Sequence, residues 1–453
     1  MSLVLKGGNV FIENEFKKVD IFIKDGKIEK LTNSEPLHNE KVVNVEGKYV
    51  IPSCIDPHVH IYKGKEDYLS ASKAALCGGY TTIFLMPFGN GDSATSLKIY
   101  EKKKLSAKNE LLIDFSIHAG ATAINQLEIK ELAENGVLTF KIFLPFSSHD
   151  FPTPENEYEL IDVLNSISRV GGLALIHAEN RVAIESFRKK FIMEGKTQPL
   201  DFMNSRPVLA EVEAVTNTIL FANLTNCPIY FVHISTGTAC EIINYAKQQN
   251  KTVFAETCPQ YLVLNEEIYQ EKGSLARVIP PIRSKEQQEK LWAHLINGTI
   301  DTIGTDHCPM PIREKSRNIF YSNNGIPGLE TALSLLLNQV NQNKLSFERV
   351  IQLMSTNPAK IFGLFPNKGI IRKGSQADLC IIDMNKSAKI SIDELYTKGE
   401  FTLYEGFKVK GVPIMTLFKG KIMMEDGFPG KINVIKNKTE YLKIKFDPKK
   451  LVN

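Results

Sequence analysis

Eight short apolar runs, each followed by a longer amphipathic stretch, fix most of what this chain can fold into. They fall at 53–60, 81–86, 111–118, 138–144, 173–177, 229–234, 252–256 and 300–306. Their spacing is roughly thirty residues, the length of a strand plus its crossover helix. Eight such units make an α/β fold of the (β/α)8 TIM-barrel type the natural architecture. The flanks read differently. β-Like bursts occupy 3–11, 19–24 and 41–51, and β-like runs return at 377–383, 401–408 and 412–424, with Gly369, Gly374, Gly411 and Gly420 marking turns. The expectation is a small antiparallel sheet at the N-terminus that joins the C-terminal strands in one composite β-sandwich. The units are then 1–53 and 366–430 for the two parts of the sandwich, 54–365 for the barrel, and 431–453 for a lysine-rich tail. That tail reads as a solvated or interface segment.

Composition narrows the function classes. The chain has 453 residues, 43% apolar and 23% charged, enough for a large soluble core. Its net charge of +4 gives no argument for nucleic acid as a partner. Seven cysteines, an odd number without a CxxC pair, suit reduced thiols in the cytoplasm. The opening residues alternate like a strand, so no signal peptide is expected. The chain contains no apolar stretch of the length a membrane span needs.

The residues able to do chemistry collect at the C-terminal ends of the predicted strands, where barrel enzymes build their sites. In Asp56-Pro57-His58-Val59-His60 the acid and both histidines alternate, so on a strand all three side chains leave one face. Such a histidine pair can hold a divalent cation, but the motif alone is ambiguous. His177, His233 and Asp306 end three further runs. A lone histidine beside an apolar strand is usually a satisfied core residue, yet all of these arriving at one barrel rim point to a metal. Lys141 sits inside the apolar run Thr139-Phe140-Lys141-Ile142-Phe143. Taken by itself it is read as a chain end reaching solvent or an ion pair. The sharper reading is an amine that has taken up CO2 to become a carbamate bridging two metals. Trp292 is assigned to helix packing, and the cysteines, Cys308 included, to small buried hydrophobes. Glu179 and Asn180 stand open between orienting a ligand histidine and ordinary loop solvation.

Together these segments resemble the cyclic-amidohydrolase branch of the amidohydrolase superfamily, the group of hydantoinases, dihydropyrimidinases, allantoinases and dihydroorotases. The resemblance rests on Asp56-Pro57-His58-Val59-His60, Phe140-Lys141-Ile142-Phe143, His177-Ala178-Glu179-Asn180, His233-Ile234-Ser235, Glu256-Thr257-Cys258-Pro259-Gln260-Tyr261-Leu262, Pro280-Pro281-Ile282-Arg283, Asp306-His307-Cys308-Pro309 and Gly325-Ile326-Pro327-Gly328-Leu329-Glu330. It implies that His58, His60 and Asp306 bind one metal, that His177 and His233 bind another, and that carboxylated Lys141 bridges them. The two divalent ions, zinc by preference, would activate water and polarise an amide carbonyl. Asp306 would act as the catalytic acid and base. The substrate would be a cyclic ureide or imide, and the protein a homo-oligomer, dimer or tetramer.

Departures from the resemblance bear on substrate. Dihydroorotases carry an arginine where this chain has Tyr62, and a histidine where it has Met310. Lys63, Lys65 and Arg313 are the candidates to compensate. Against dihydropyrimidinases, Phe146 or its neighbours replace the oxyanion-stabilising tyrosine, and Ile279 replaces a serine. Asn324 matches the position that contacts the ring amide. The leading expectation is therefore a hydantoinase- or dihydropyrimidinase-like hydrolase. A dihydroorotase or allantoinase is the alternative, and a non-catalytic scaffold is disfavoured because all six ligand positions are kept.

Overall fold

The computed structural model describes residues 2–36, 40–62, 64–88, 92–249, 251–427, 430–434 and 439–447. Parallel strands build its centre. One sheet holds Cys54–Val59, Tyr80–Leu85 and Asp114–Ile117, and a second runs Ala119–Gly120, Thr139–Phe143, Leu173–His177, Ile229–Phe231, Val253–Thr257 and Thr302–Ile303. The two sheets are continuous across one residue, because the His118 N–H still donates to Leu85 O at 2.9 Å. At the other seam Val59 bridges His307 in parallel, and the His60 N–H donates to His307 O at 2.8 Å. The result is an eight-stranded barrel wrapped by helices.

Two strands end three residues before their apolar runs do. The run 229–234 is strand only through Phe231 and the run 300–306 only at Thr302–Ile303. The cause lies in the backbone of His233 and Asp306, which have φ of 39° and 50°. A side chain in this left-handed region costs of order 1–2 kcal/mol, so each strand breaks just where its functional residue turns inward.

Both chain ends meet beside the barrel. A seven-stranded sheet runs Lys431–Ile432, Lys421–Glu425, Lys408–Phe418, Leu379–Lys389, Tyr49–Pro52, Asn9–Ile12 and Glu15–Lys18. Its centre is the antiparallel pairing of Leu379–Lys389 with Tyr49–Pro52. A four-stranded sheet of N-terminal strands packs over it, burying Leu5, Val10, Ile23, Val50, Leu379 and Leu417 between the layers. The N-terminal strands therefore do not form a single antiparallel sheet. Run 3–11 divides at Gly7 and Gly8, and Ser2–Lys6 and Asn9–Ile12 enter different sheets, each with a parallel neighbour. A Cβ at Gly8 would lie 2.9 Å from Val50 Cγ2, so only glycine passes here.

Run 401–408 is not a strand: residues 401–407 are turn and coil, and pairing starts at Lys408. Phe401, Leu403 and Tyr404 are buried there without forming a ladder, so their apolar character mimics a strand. The tail also departs from expectation. Within its described part, Tyr441 bridges Phe115, Ile444 and Phe446 are buried, and Phe446 meets Phe254 at the start of its strand. One side of this segment packs on the barrel, while Glu440, Lys443 and Lys445 stay exposed.

Barrel and sandwich are tied by buried charge. Lys368 Nζ lies 2.9 Å from Asp114 Oδ2 and also contacts Asp378, while Lys419 Nζ lies 2.9 Å from Asp114 Oδ1.

Candidate active site

The barrel strands deliver their polar ends to one cleft of about 720 Å³, lined by His58, His60, Lys141, His177, His233 and Asp306. The nitrogen and oxygen donors of His58, His60 and Asp306 lie within 4.8 Å of one another. Asp306 Oδ1 is 3.2 Å from His60 Nε2 and 3.4 Å from His58 Nε2. Beside them the rings of His177 and His233 meet edge-on with centroids 4.3 Å apart. His58 joins the two groups, its ring centroid 5.2 Å from that of His233.

Two of the histidines are aimed from behind. Glu256 Oε1 lies 2.7 Å from His58 Nδ1, which leaves Nε2 toward Asp306. Glu179 Oε2 lies 2.7 Å from His177 Nε2, which leaves Nδ1 free, and Arg206 fixes Glu179 through two charge-assisted bonds. The question left open for Glu179 is thereby answered: it is buried and orients His177. Asn180 has another job, since its side chain accepts from the Ala183 N–H and caps the helix Arg181–Met193. Asp56 braces the first strand end, accepting from the His58 and Thr305 N–H groups and the Thr305 hydroxyl.

Electrostatics follow from burial. It holds the His58 and His233 imidazoles well below their ordinary range and His177 at about 4, so all three are neutral. Burial also draws the Lys141 amine down to about 7, against the opposing pull of Asp306 and Glu256. For Asp306 burial works upward, but His58 and His60 outweigh it and keep the carboxylate charged. Glu256 is pushed by burial up to about 8.

Two atoms test whether this set suits a metal. Lys141 Nζ and His233 Nδ1 are buried without a hydrogen-bond partner among the described residues. Buried polar atoms are rarely left so, and both lie in a cleft whose other donors are neutral imidazoles and a carboxylate. The residues fit a divalent cation centre.

The four residues expected at the substrate line the same cleft. Tyr62 stacks on His60 with centroids 5.7 Å apart, its hydroxyl 3.4 Å from His60 Nδ1. Phe146 stands at the mouth, 61% exposed, and Ile279 is half-buried. Asn324 Oδ1 accepts from Arg277 Nε at 2.8 Å. Of the candidates to replace the missing arginine, Lys65 is paired with Glu314 at 2.7 Å, Arg313 is exposed and does not line the cleft, and Lys63 lies outside the described residues. Trp292 packs as expected, its indole N–H donating to Leu262 O at 2.8 Å. The seven cysteines are buried and unpaired.

Sequence reasoning gave no site role to Glu256, Arg188, Arg206 or Arg277. Glu256 was detectable, because it ends the run 252–256 in the way that His177 ends its own. The arginines come from a helix and a loop, and no periodicity marks them.

Comparison with known proteins agrees with this geometry. Residues 49–423 match the amidohydrolase family. The chain is 30% identical to an L-hydantoinase of Paenarthrobacter aurescens, covering 94% of this chain and 95% of that one. It is 32% identical to a D-hydantoinase of Ralstonia pickettii, with 94% and 96% covered. Among solved structures, L-hydantoinase (dihydropyrimidinase) from Arthrobacter aurescens superposes with a TM-score of 0.93 at 29% identity, covering 97% of this chain and 99% of that chain. Dihydropyrimidinase from Brevibacillus agri NCHU1002 gives 0.90 at 28% identity, covering 99% and 100%. This chain therefore belongs to the amidohydrolase family, in its cyclic-amide branch.

Proposed function

We propose that this protein is a metal-dependent hydrolase that opens the –CO–NH– bond of a five- or six-membered cyclic ureide or imide. The observation that carries the reading is the partnerless Lys141 amine among His58, His60, His177, His233 and Asp306 in one cleft. His58, His60 and Asp306 would hold one divalent ion and His177 and His233 a second. Zinc is the best match for imidazole and carboxylate donors. A neutral Lys141 amine can add to CO2, forming an N–C bond and losing one proton, and the resulting carbamate would supply the anionic ligand shared by the two ions. When bound, the two ions lower the pKa of water and polarise the amide carbonyl.

Asp306 takes one proton as the water oxygen bonds to the carbonyl carbon. It returns that proton to the ring nitrogen as the C–N bond breaks, leaving a free ureido or amide group and a carboxyl that ionises by releasing the water's second proton to solvent. Asn324 would hold the ring amide, with Arg277 fixing its side-chain oxygen. Glu256 and Glu179 keep His58 and His177 in the tautomers that face the cleft.

Assembly as a homodimer or homotetramer belongs to the same proposal, with Leu209, Leu220 and Leu224 exposed on the helix Val208–Thr225 as the candidate contact. So does a cytoplasmic location, on the strength of the seven unpaired thiols. No helix of the described residues is long and apolar enough to cross a membrane.

Elemental analysis of the purified protein, joined to turnover of dihydrouracil, hydantoin, allantoin and dihydroorotate, tests the reading. The expected result is two metals per chain and hydrolysis of hydantoin or dihydrouracil. A protein that binds no divalent metal and opens none of the four rings would be a scaffold instead.

A further inference from the structure

The cleft that holds the metal-ligand candidates also carries a concentration of positive charge that the hydrolysis of a neutral ring does not use. Arg188, Lys189, Arg206 and Arg277 all line it. Arg206 is answered by Glu179, buried against it. The other three have no such answer: among the described residues none of them forms an ion pair. Glu185, one turn back on the helix Arg181–Met193, lines the same wall and pairs with none of them.

Arg277 is the deepest of these three. Its Nε donates to Asn324 Oδ1 at 2.8 Å and its Nη1 to Ile319 O at 2.6 Å, while Nη2 has no partner among the described residues. Its guanidinium lies over the Phe202 ring at 5.1 Å. Burial, with Arg206 and Arg188 nearby, draws it down to about 10, so it stays charged at neutral pH while repelled by its neighbours. Arg188 lies over Tyr321 at 5.5 Å and makes no hydrogen bond among the described residues; Tyr321 is 56% exposed, which puts this pair at the rim. A line of cationic groups thus leads from Asn324 outward. Like charges gathered without a counter-ion cost stability in the empty cleft, and an anion between them removes that cost.

Resting on the reading of the site as a cyclic amidase, we infer that its substrate carries a carboxylate at the end of a short side chain on the ring. The ring would be seated at Asn324 and the carboxylate held between Arg277 Nη2 and Arg188. Two planar guanidinium groups suit a carboxylate better than a point cation would.

The experiment compares kcat/KM of the metal-loaded enzyme for 5-(2-carboxyethyl)hydantoin and for its neutral isostere 5-(2-carbamoylethyl)hydantoin, at low and high salt. Unsubstituted hydantoin and dihydrouracil serve as references. The acid is expected to be favoured by about tenfold or more at low ionic strength, with the advantage shrinking as salt rises. Arg188→Gln should bring the acid-to-amide ratio toward one, and Arg188→Lys should restore part of it. Equal efficiency for acid and amide in the wild type, or a ratio unmoved by Arg188→Gln, overturns the anion pocket and leaves the cyclic amidase standing. Failure of all four compounds overturns the anion pocket, and failure of allantoin and dihydroorotate as well overturns the cyclic amidase.

Discussion

Glu256 Oε1 lies 2.7 Å from His58 Nδ1, and the same carboxyl accepts from the His233 N–H at 3.1 Å and the Tyr230 hydroxyl at 2.8 Å. One buried side chain therefore sets the ring of a residue assigned to one metal and the backbone of a residue assigned to the other. Removing such a partner of a ligating histidine typically costs 10- to 100-fold in metal affinity, at the order-of-magnitude level. Glu256→Leu is expected to show a loss of about that size in metal titration, with the fold intact by circular dichroism. Glu256→Gln, whose amide oxygen can still accept from Nδ1–H, should lose less. Equal affinity in wild type and Glu256→Leu would remove Glu256 from the metal centre.

Lys141→Ala should lose metal and turnover together, because two cations need an anionic bridge to offset their repulsion. Short carboxylic acids such as acetate or propionate should restore part of the activity by standing in for the carbamate. Stoichiometric binding of two metals by the alanine variant without any added carboxylate would overturn the carbamate assignment.

The charge of Asp306 is assigned to chemistry as well as to ligation. Asp306→Asn should still bind metal, more weakly, while turnover falls by orders of magnitude, since an amide cannot shuttle the proton. Single-turnover rates at saturating metal separate the two effects. A variant that keeps most of its rate there places the proton shuttle elsewhere.

Stability should depend on the buried cluster of Asp114, Lys368, Asp378 and Lys419. Burial pushes the Asp114 carboxyl up, but Lys368 and Lys419 outweigh it and hold it low; burial likewise opposes the Lys368 charge, and Asp114 and Asp378 outweigh it and hold it high. A carboxyl depressed in the folded state stabilises above its unfolded pKa of about 3.9, and the contribution is lost as pH falls through the folded value. A raised lysine stabilises below about 10.4 and loses its contribution as pH climbs through the folded value. Lys368→Met leaves the buried Asp378 without a cation and Asp114 with Lys419 alone, and is expected to cost about 3–5 kcal/mol at pH 7. In acid the gap should narrow, because the variant's carboxyls take up protons. Thermal unfolding at pH 7 and pH 4 checks both; equal midpoints at pH 7 would show the cluster to be dispensable.

These residues also show what was legible beforehand. The barrel and its six ligand candidates could be read because each strand announces itself as an apolar run and most of the site residues lie at or near the end of one, with Lys141 set inside its run. Lys141 looked anomalous in sequence and is anomalous in structure, a buried amine with no hydrogen-bond partner among the described residues. Signals failed where tertiary contact alone decides. Phe401 and Tyr404 are buried in a coil, Ile444 and Phe446 anchor a segment whose lysines suggested solvent, and Arg277 reaches Asn324 across 47 residues.

Substrate choice was the least legible property, and it provides the last test. Tyr62 stands where a dihydroorotase resemblance calls for a cation, and Ile279 where a hydroxyl is expected; both line the cleft, and Tyr62 lies against His60. Lys65 offers no replacement, since Glu314 already pairs with it. A carboxylate bonded directly to the ring, as in dihydroorotate, would be buried beside these side chains without its arginine. That unpaired charge carries a penalty of a few kcal/mol, equivalent to a loss of about a hundredfold or more in relative efficiency. A carboxylate on an arm escapes this penalty because it extends from the ring toward Arg188. Hydantoin and dihydrouracil should therefore exceed dihydroorotate in kcat/KM, and Tyr62→Arg should narrow the difference by raising dihydroorotate turnover. If wild-type enzyme prefers dihydroorotate to both, the ring carboxylate has found a cation, and Arg277 becomes the residue to replace next.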